Sequence, residues 1–100
     1  MQLDEARALL AQARTDRVGA KANADAMLAN YHAVLKEKKC LMELHANALP
    51  EEKNVYQTKL DMLPAREEEK EDELNTAKYT SRMYNHRVVE LEQLIDDMTK

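Results

Sequence analysis

Residues that interrupt helices are scarce in this sequence. It contains one glycine, Gly19, and two prolines, Pro50 and Pro64. Phosphate-binding loops, tight hairpin turns and nucleophile elbows depend on glycine for backbone conformations that other residues rarely adopt. The near absence of glycine argues against sites of those kinds and favours long helices.

Large aromatic side chains and cysteine pairs are missing as well. There is no Trp and no Phe, so we do not expect the thick core of a globular domain. Cys40 is the only cysteine and has no partner for an internal disulfide, which indicates a reducing, intracellular compartment. No stretch approaches the roughly 18 apolar residues of a membrane span, and we expect no membrane partner.

Charge excludes a further class of partner. Residues 1–49 carry seven basic and six acidic residues, whereas residues 50–100 carry eight and thirteen. Nucleic-acid binding needs a basic face, so no nucleic-acid partner is expected. The chain is 44% apolar and rich in Ala, Leu, Glu, Lys and Arg, a composition typical of an all-α coiled coil.

Apolar residues recur at a helical spacing. Adjacent apolar pairs, here called the apolar doublets, stand seven residues apart, as the heptads of a coiled coil require. They are Met27-Leu28, Val34-Leu35, Leu41-Met42, Ala48-Leu49, Val55-Tyr56 and Met62-Leu63. Such a face is wider than one partner helix needs, so we expect a second contact on it.

The doublets connect two longer heptad patterns that differ in phase by one residue. The N-terminal stripe consists of Leu3, Ala6, Leu10, Ala13, Arg17, Ala20, Ala24, Met27, Tyr31, Val34, Lys38 and Leu41. The C-terminal stripe consists of Leu60, Leu63, Glu67, Lys70, Leu74, Ala77, Ser81, Tyr84, Val88, Leu91, Ile95 and Met98. The phase difference predicts a contact face that rotates through the doublets. The polar members of the C-terminal stripe, Glu67, Lys70 and Ser81, are of the kind that fixes register or partner.

A partner interface is predicted along both patterns. We expect it to contain Met27, Leu28, Val34, Leu35, Leu41, Met42, Val55, Tyr56, Leu60, Leu63, Leu74, Tyr84, Val88, Leu91, Ile95 and Met98. The partner is another coiled-coil protein or a second copy of this chain.

The two prolines leave two architectures open. Each is followed by acidic residues, as at a helix start, where the missing proline N–H is not needed. In one architecture the chain reverses at Pro50, with Asn47 ending the first helix in a left-handed conformation. In the other, one kinked rod passes through both prolines, at a cost of about 3 kcal/mol for each. We favour an elongated all-α coiled coil with a break at Pro50, giving an antiparallel hairpin, and a kink at Pro64.

The same features divide the chain into three segments. Residues 1–48 form an alanine-rich helical arm, residues 49–64 a proline-bounded helical segment, and residues 65–100 an acidic heptad helix. Both stripes reach almost to the ends of the sequence without evident helix caps, and we expect an excerpt of a longer chain.

No constellation of side chains indicates catalysis, a cofactor or a metal. His32, His45 and His86 lie thirteen and forty-one residues apart, without a second ligand at helical spacing. Cys40 follows Lys36, Lys38 and Lys39, but no base or oxyanion donor accompanies it. Tyr79 and Met83 lie on the side of the helix away from the C-terminal stripe, where they are either incidental or a second docking surface.

Segments of the long coiled-coil proteins of cilia, flagella and centrosomes resemble this pattern. The resemblance is closest over residues 31–74, which include LPEEK and LPARE, and it extends in style over most of the chain. It implies a docking or filament-forming role on a microtubule-based structure, and the basic run KEKK is suited to an acidic microtubule surface.

We therefore expect a non-enzymatic scaffold that works by helix–helix association within a cytoskeletal assembly such as the axoneme. Its expected location is the cytoplasm and cytoskeleton, including the cilium or flagellum. The alternative is a self-contained helical hairpin that acts as an adaptor or chaperone for a client helix.

Overall fold

Two long α-helices make up the computed structural model, which describes all residues from 1 to 100. Helix α1 spans Leu3–Asn47 and helix α2 spans Lys53–Met98, with no strands. The two helices form an antiparallel hairpin, which confirms the all-α fold and the break at Pro50. The alternative of one rod continuous through Pro50 is wrong for this structure.

Pro50 lies in the turn between the helices, three residues before α2 begins at Lys53. The carbonyl of Leu49 accepts hydrogen bonds from the N–H groups of Glu52 at 2.9 Å and Lys53 at 3.1 Å. The Leu49 carbonyl therefore closes the turn that leads into α2, and Pro50 is the residue that follows it in that turn. Proline is favoured there because its fixed φ is helical and its missing N–H would have no partner.

The end of α1 differs from the prediction. Asn47 was expected in the left-handed conformation, but no residue in the chain has a positive φ. Instead, Asn47 Nδ2 donates a hydrogen bond to the Glu43 carbonyl at 3.0 Å, and the Ala48 N–H donates to the His45 carbonyl at 3.3 Å. These bonds satisfy carbonyl oxygens of the last turn of α1. In a helix that ends with a left-handed residue, such carbonyls accept hydrogen bonds from the N–H groups just after the helix.

Pro64 lies inside α2 and does not end it. The structure divides into two compact units. Residues 1–25 with 76–100 are called unit 1, and residues 26–75 are called unit 2.

The division of the chain into three segments, 1–48, 49–64 and 65–100, stays a prediction.

Unit 1 packs the beginning of α1 against the end of α2. Its core contains Leu10, Ala13, Val88 and Leu91, with Leu94 and Ile95 packed against it. Alanine on α1 opposite larger residues on α2 lets the two backbones approach closely, and Val88 is fully buried.

Unit 2 contains the turn and the helical segments on either side of it. Val34 and Leu41 of α1 and Leu63 of α2 form its core, with Tyr56 and Leu60 packed against them. Leu63 is 1% exposed, the lowest value among the leucines of the chain. The core residues all belong to the two stripes or to the doublets.

The two stripes are the inner faces of the two helices. In α1 the first members Val34 and Leu41 are buried, while the second members Leu35 and Met42 are exposed. In α2 the second member faces inward, so Leu63 is buried and Met62 is 65% exposed. The predicted rotation of the contact face is therefore wrong, because the change of phase coincides with the turn and each helix keeps its own heptad phase.

The adjacent residues Leu63 and Met62 provide a direct test of these faces. We expect Leu63→Ala to lower the free energy of unfolding by about 2–4 kcal/mol, because it leaves a cavity in the core of unit 2. Met62→Ala shortens a side chain that lies in solvent, and it should change the free energy of unfolding by less than about 0.5 kcal/mol. Urea denaturation followed by circular dichroism measures both, and equal losses would contradict the assigned faces.

Candidate functional site

Two ion pairs join the helices at the middle of unit 2. Lys38 Nζ lies 3.1 Å from Glu67 Oε1, and Arg66 Nη1 lies 3.0 Å from Glu37 Oε2. Glu67 Oε1 is buried, and the Lys38 ammonium compensates its charge, although the alignment is not that of a hydrogen bond. Lys38 is one of the polar exceptions in the N-terminal stripe, and Glu67 is one of the polar residues of the C-terminal stripe that the sequence analysis identified as able to fix register.

These pairs depend on the register of the two helices. Consecutive residues of α1, acidic then basic, meet consecutive residues of α2, basic then acidic. A slip of one heptad would place Lys38 opposite Leu60 or Leu74 and leave Glu67 without its counter-charge. An uncompensated, partly buried charge is costly, so the pairs favour one register over its neighbours.

Two further ion pairs are less specific, one at the stripe residue Lys70 and one beside the stripes in unit 1. Lys70 Nζ binds Glu73 Oε2 of its own helix at 3.3 Å and stays partly exposed. In unit 1, Arg14 Nη2 lies 3.6 Å from Glu92 Oε1, and both side chains are about half exposed. Such surface pairs contribute about 0–1 kcal/mol, so they orient the helices only weakly.

A row of apolar residues remains outside the core of unit 2. This outer stripe consists of Leu28, Leu35, Met42 and Leu49, the second members of the first four doublets, of which Leu49 lies just beyond the end of α1. Leu35, Met42 and Leu49 are 38%, 55% and 57% exposed. The ion pair between Glu37 and Arg66 marks one edge of the hairpin, and the heptad geometry places the outer stripe on the opposite edge.

An open depression of about 380 Å³ lies on the outer stripe. Four of its lining residues are Leu35, Lys38, Lys39 and Met42, which stand at positions i, i+3, i+4 and i+7 of α1. Four residues at this spacing form the hole that receives a knob side chain in coiled-coil packing. The depression therefore has the form of a helix-binding site.

The residues predicted for a partner interface fall into three groups. Those buried within the hairpin are Val34, Leu41, Leu63, Leu74, Val88 and Leu91. Those partly buried are Met27, Leu28, Tyr56, Leu60, Tyr84, Ile95 and Met98, and those exposed are Leu35, Met42 and Val55. Their contact with a partner stays a prediction, and the exposed group is the part of the set that is accessible in the hairpin.

The other candidate side chains lie on the surface. Cys40 is a free, exposed thiol, and no group of three or more His, Cys, Asp or Glu residues is placed to hold a metal ion. Tyr79 and Met83 are 62% and 54% exposed and line an open groove on α2. Neither helix is long and apolar enough to cross a membrane.

The register-fixing role of the central ion pair is testable by charge reversal. Lys38→Glu would face Glu67, and we expect it to lower the free energy of unfolding by about 1–2 kcal/mol. Combining it with Glu67→Lys restores opposite charges and should recover most of that loss in urea denaturation. Additive losses in the double variant would show that the two side chains do not interact.

No model of a protein family, no curated protein and no solved structure matches this chain. The candidate surface is consequently argued from its own residues, and the resemblance to ciliary and centrosomal coiled-coil proteins stays a prediction.

Proposed function

We propose that this chain is a non-enzymatic structural scaffold that binds other helices within a microtubule-based cytoskeletal assembly such as the axoneme. The observation that carries the proposal is the outer stripe, because it offers an accessible apolar row at heptad spacing after the hairpin has closed its own core. Helices that present such rows associate by packing side chains between one another's turns.

Charge around the outer stripe supports a protein partner. Lys36 and Lys39 are exposed beside it, and the salt bridges of the chain include neither of them. An apolar row with basic residues at its margin suits a helix with acidic flanks, or an acidic filament surface on which such a helix lies. The finer assignment to a cilium or flagellum rests on the resemblance alone.

A second candidate is an adaptor or chaperone for a client helix. It is favoured by the hairpin itself, since most of the two stripes is occupied within one chain and the outer stripe is left for a client. The two candidates differ in the binding partner of the chain in the cell. A scaffold is bound to an insoluble filament, whereas an adaptor binds a helical client transiently.

Extraction of ciliated cells with detergent distinguishes the two candidates. We expect the tagged chain to remain with the microtubule-containing insoluble fraction, and Leu35→Glu with Met42→Glu to shift most of it to the soluble fraction. The matched control is Val55→Glu with Met62→Glu, which alters two exposed apolar residues of α2 at the same spacing. Quantitative immunoblotting measures the distribution, and complete extraction of the unaltered chain would contradict the scaffold in favour of the adaptor.

A further inference from the structure

The outer stripe has a property that a generic docking surface lacks, which is self-complementarity. Its two central residues, Leu35 and Met42, stand seven residues apart, and each is followed by a charged residue, Lys36 and Glu43. All four are exposed, and neither Lys36 nor Glu43 takes part in a salt bridge of the chain. In an antiparallel second copy with its two-fold axis near residue 40, the lysine of each helix comes to about the level of the glutamate of the other.

From this arrangement we infer that the outer stripe binds a second copy of the chain, α1 against α1 and antiparallel, about a two-fold axis. The inference rests on the proposed function as a module for helix association and names the partner of that surface. In a two-fold interface the same patch serves both copies, so every contact occurs twice.

The depression on α1 sets the register of this interface. Its centre lies level with Lys38 and Lys39, and Met42 of the second copy is an apolar side chain of the right spacing to enter it. With Met42 in that place, the two-fold axis passes level with Cys40. Leu35 of the second copy then lies against the next turn, where Ala46 leaves room for it.

The same register pairs the flanking charges. Along the helix axis, Lys36 lies within about 2 Å of the level of Glu43 from the second copy, since each residue rises 1.5 Å. Two such lysine–glutamate pairs form, one on each side of the axis. Lys39 of one copy lies near Lys39 of the other, and the long flexible side chain of each keeps its ammonium group in water.

A spin label on Cys40 can measure the distance between the two copies at the level of the two-fold axis. Cys40 is exposed and lies on the side of α1 away from the outer stripe, so a label on it does not cover the stripe. With helix axes 8–10 Å apart, the two Cys40 Cα atoms are about 14 Å apart in the proposed dimer.

The test uses the purified full chain. Sedimentation equilibrium over increasing concentration should show a monomer–dimer equilibrium, and Leu35→Glu with Met42→Glu should raise the dimer Kd at least about tenfold. Val55→Glu with Met62→Glu should leave it within about twofold, because those residues lie on α2 outside the stripe. Circular dichroism checks that both double variants keep the helical content of the unaltered chain.

Charge exchange tests the antiparallel direction. Lys36→Glu and Glu43→Lys should each weaken the dimer, and the double exchange should restore it, since opposite charges then meet again. Spin labels on Cys40 should report an intermolecular distance below about 30 Å.

A chain that stays monomeric at every concentration, or double variants that weaken the dimer equally, would overturn the inference. Failure of the charge exchange to restore the dimer, or a longer distance between the Cys40 labels, would also overturn it. A monomeric chain that still remains in the insoluble cell fraction would leave the scaffold function standing with a different partner. A dimer that is fully extracted from cells would support the interface and contradict the scaffold.

Discussion

The antiparallel alignment of two heptad stripes is the constraint on which the rest of this structure depends. Apolar burial along the stripes supplies the stabilisation, but apolar side chains repeated every seven residues permit several alignments. The paired charges of Glu37 with Arg66 and Lys38 with Glu67 distinguish one alignment from those a heptad away. The core residues Val34, Leu41 and Leu63 can then pack in one arrangement.

Closure of the hairpin also determines which surface is left for function. Because the inner face of α1 uses the first members Val34 and Leu41, the second members Leu35 and Met42 are directed away from α2. The outer stripe is thus a consequence of how the chain buries its core, and its seven-residue spacing is inherited from the core. Any partner that recognises it meets a row already fixed on a long helix, so little conformational entropy is lost there on binding.

The sequence was sufficient to predict the helices and the stripes that line their inner faces, since heptad spacing is a local signal. Proline chemistry favoured the reversal at Pro50 over a continuous rod but left both open. The phase difference between the stripes was misread as a rotation of the contact face, because a turn and a rotation both shift the heptad pattern by one residue. The end of α1 was also missed, since the hydrogen bond from Asn47 to the Glu43 carbonyl competes with the left-handed conformation and both are available to asparagine. Which doublet members lie outside follows only once the hairpin is known.

The central claim, that the chain closes on itself, is tested most directly by a distance within one molecule. Spin labels replacing Arg14 and Glu92, with Cys40→Ser and an excess of unlabelled chain to suppress distances between molecules, can be measured by pulsed electron paramagnetic resonance. The side chains of Arg14 and Glu92 meet at 3.6 Å in the hairpin, so the labels should lie within about 25 Å of each other. A continuous helix would separate them by about 117 Å at 1.5 Å per residue, and the absence of the short distance would contradict the account.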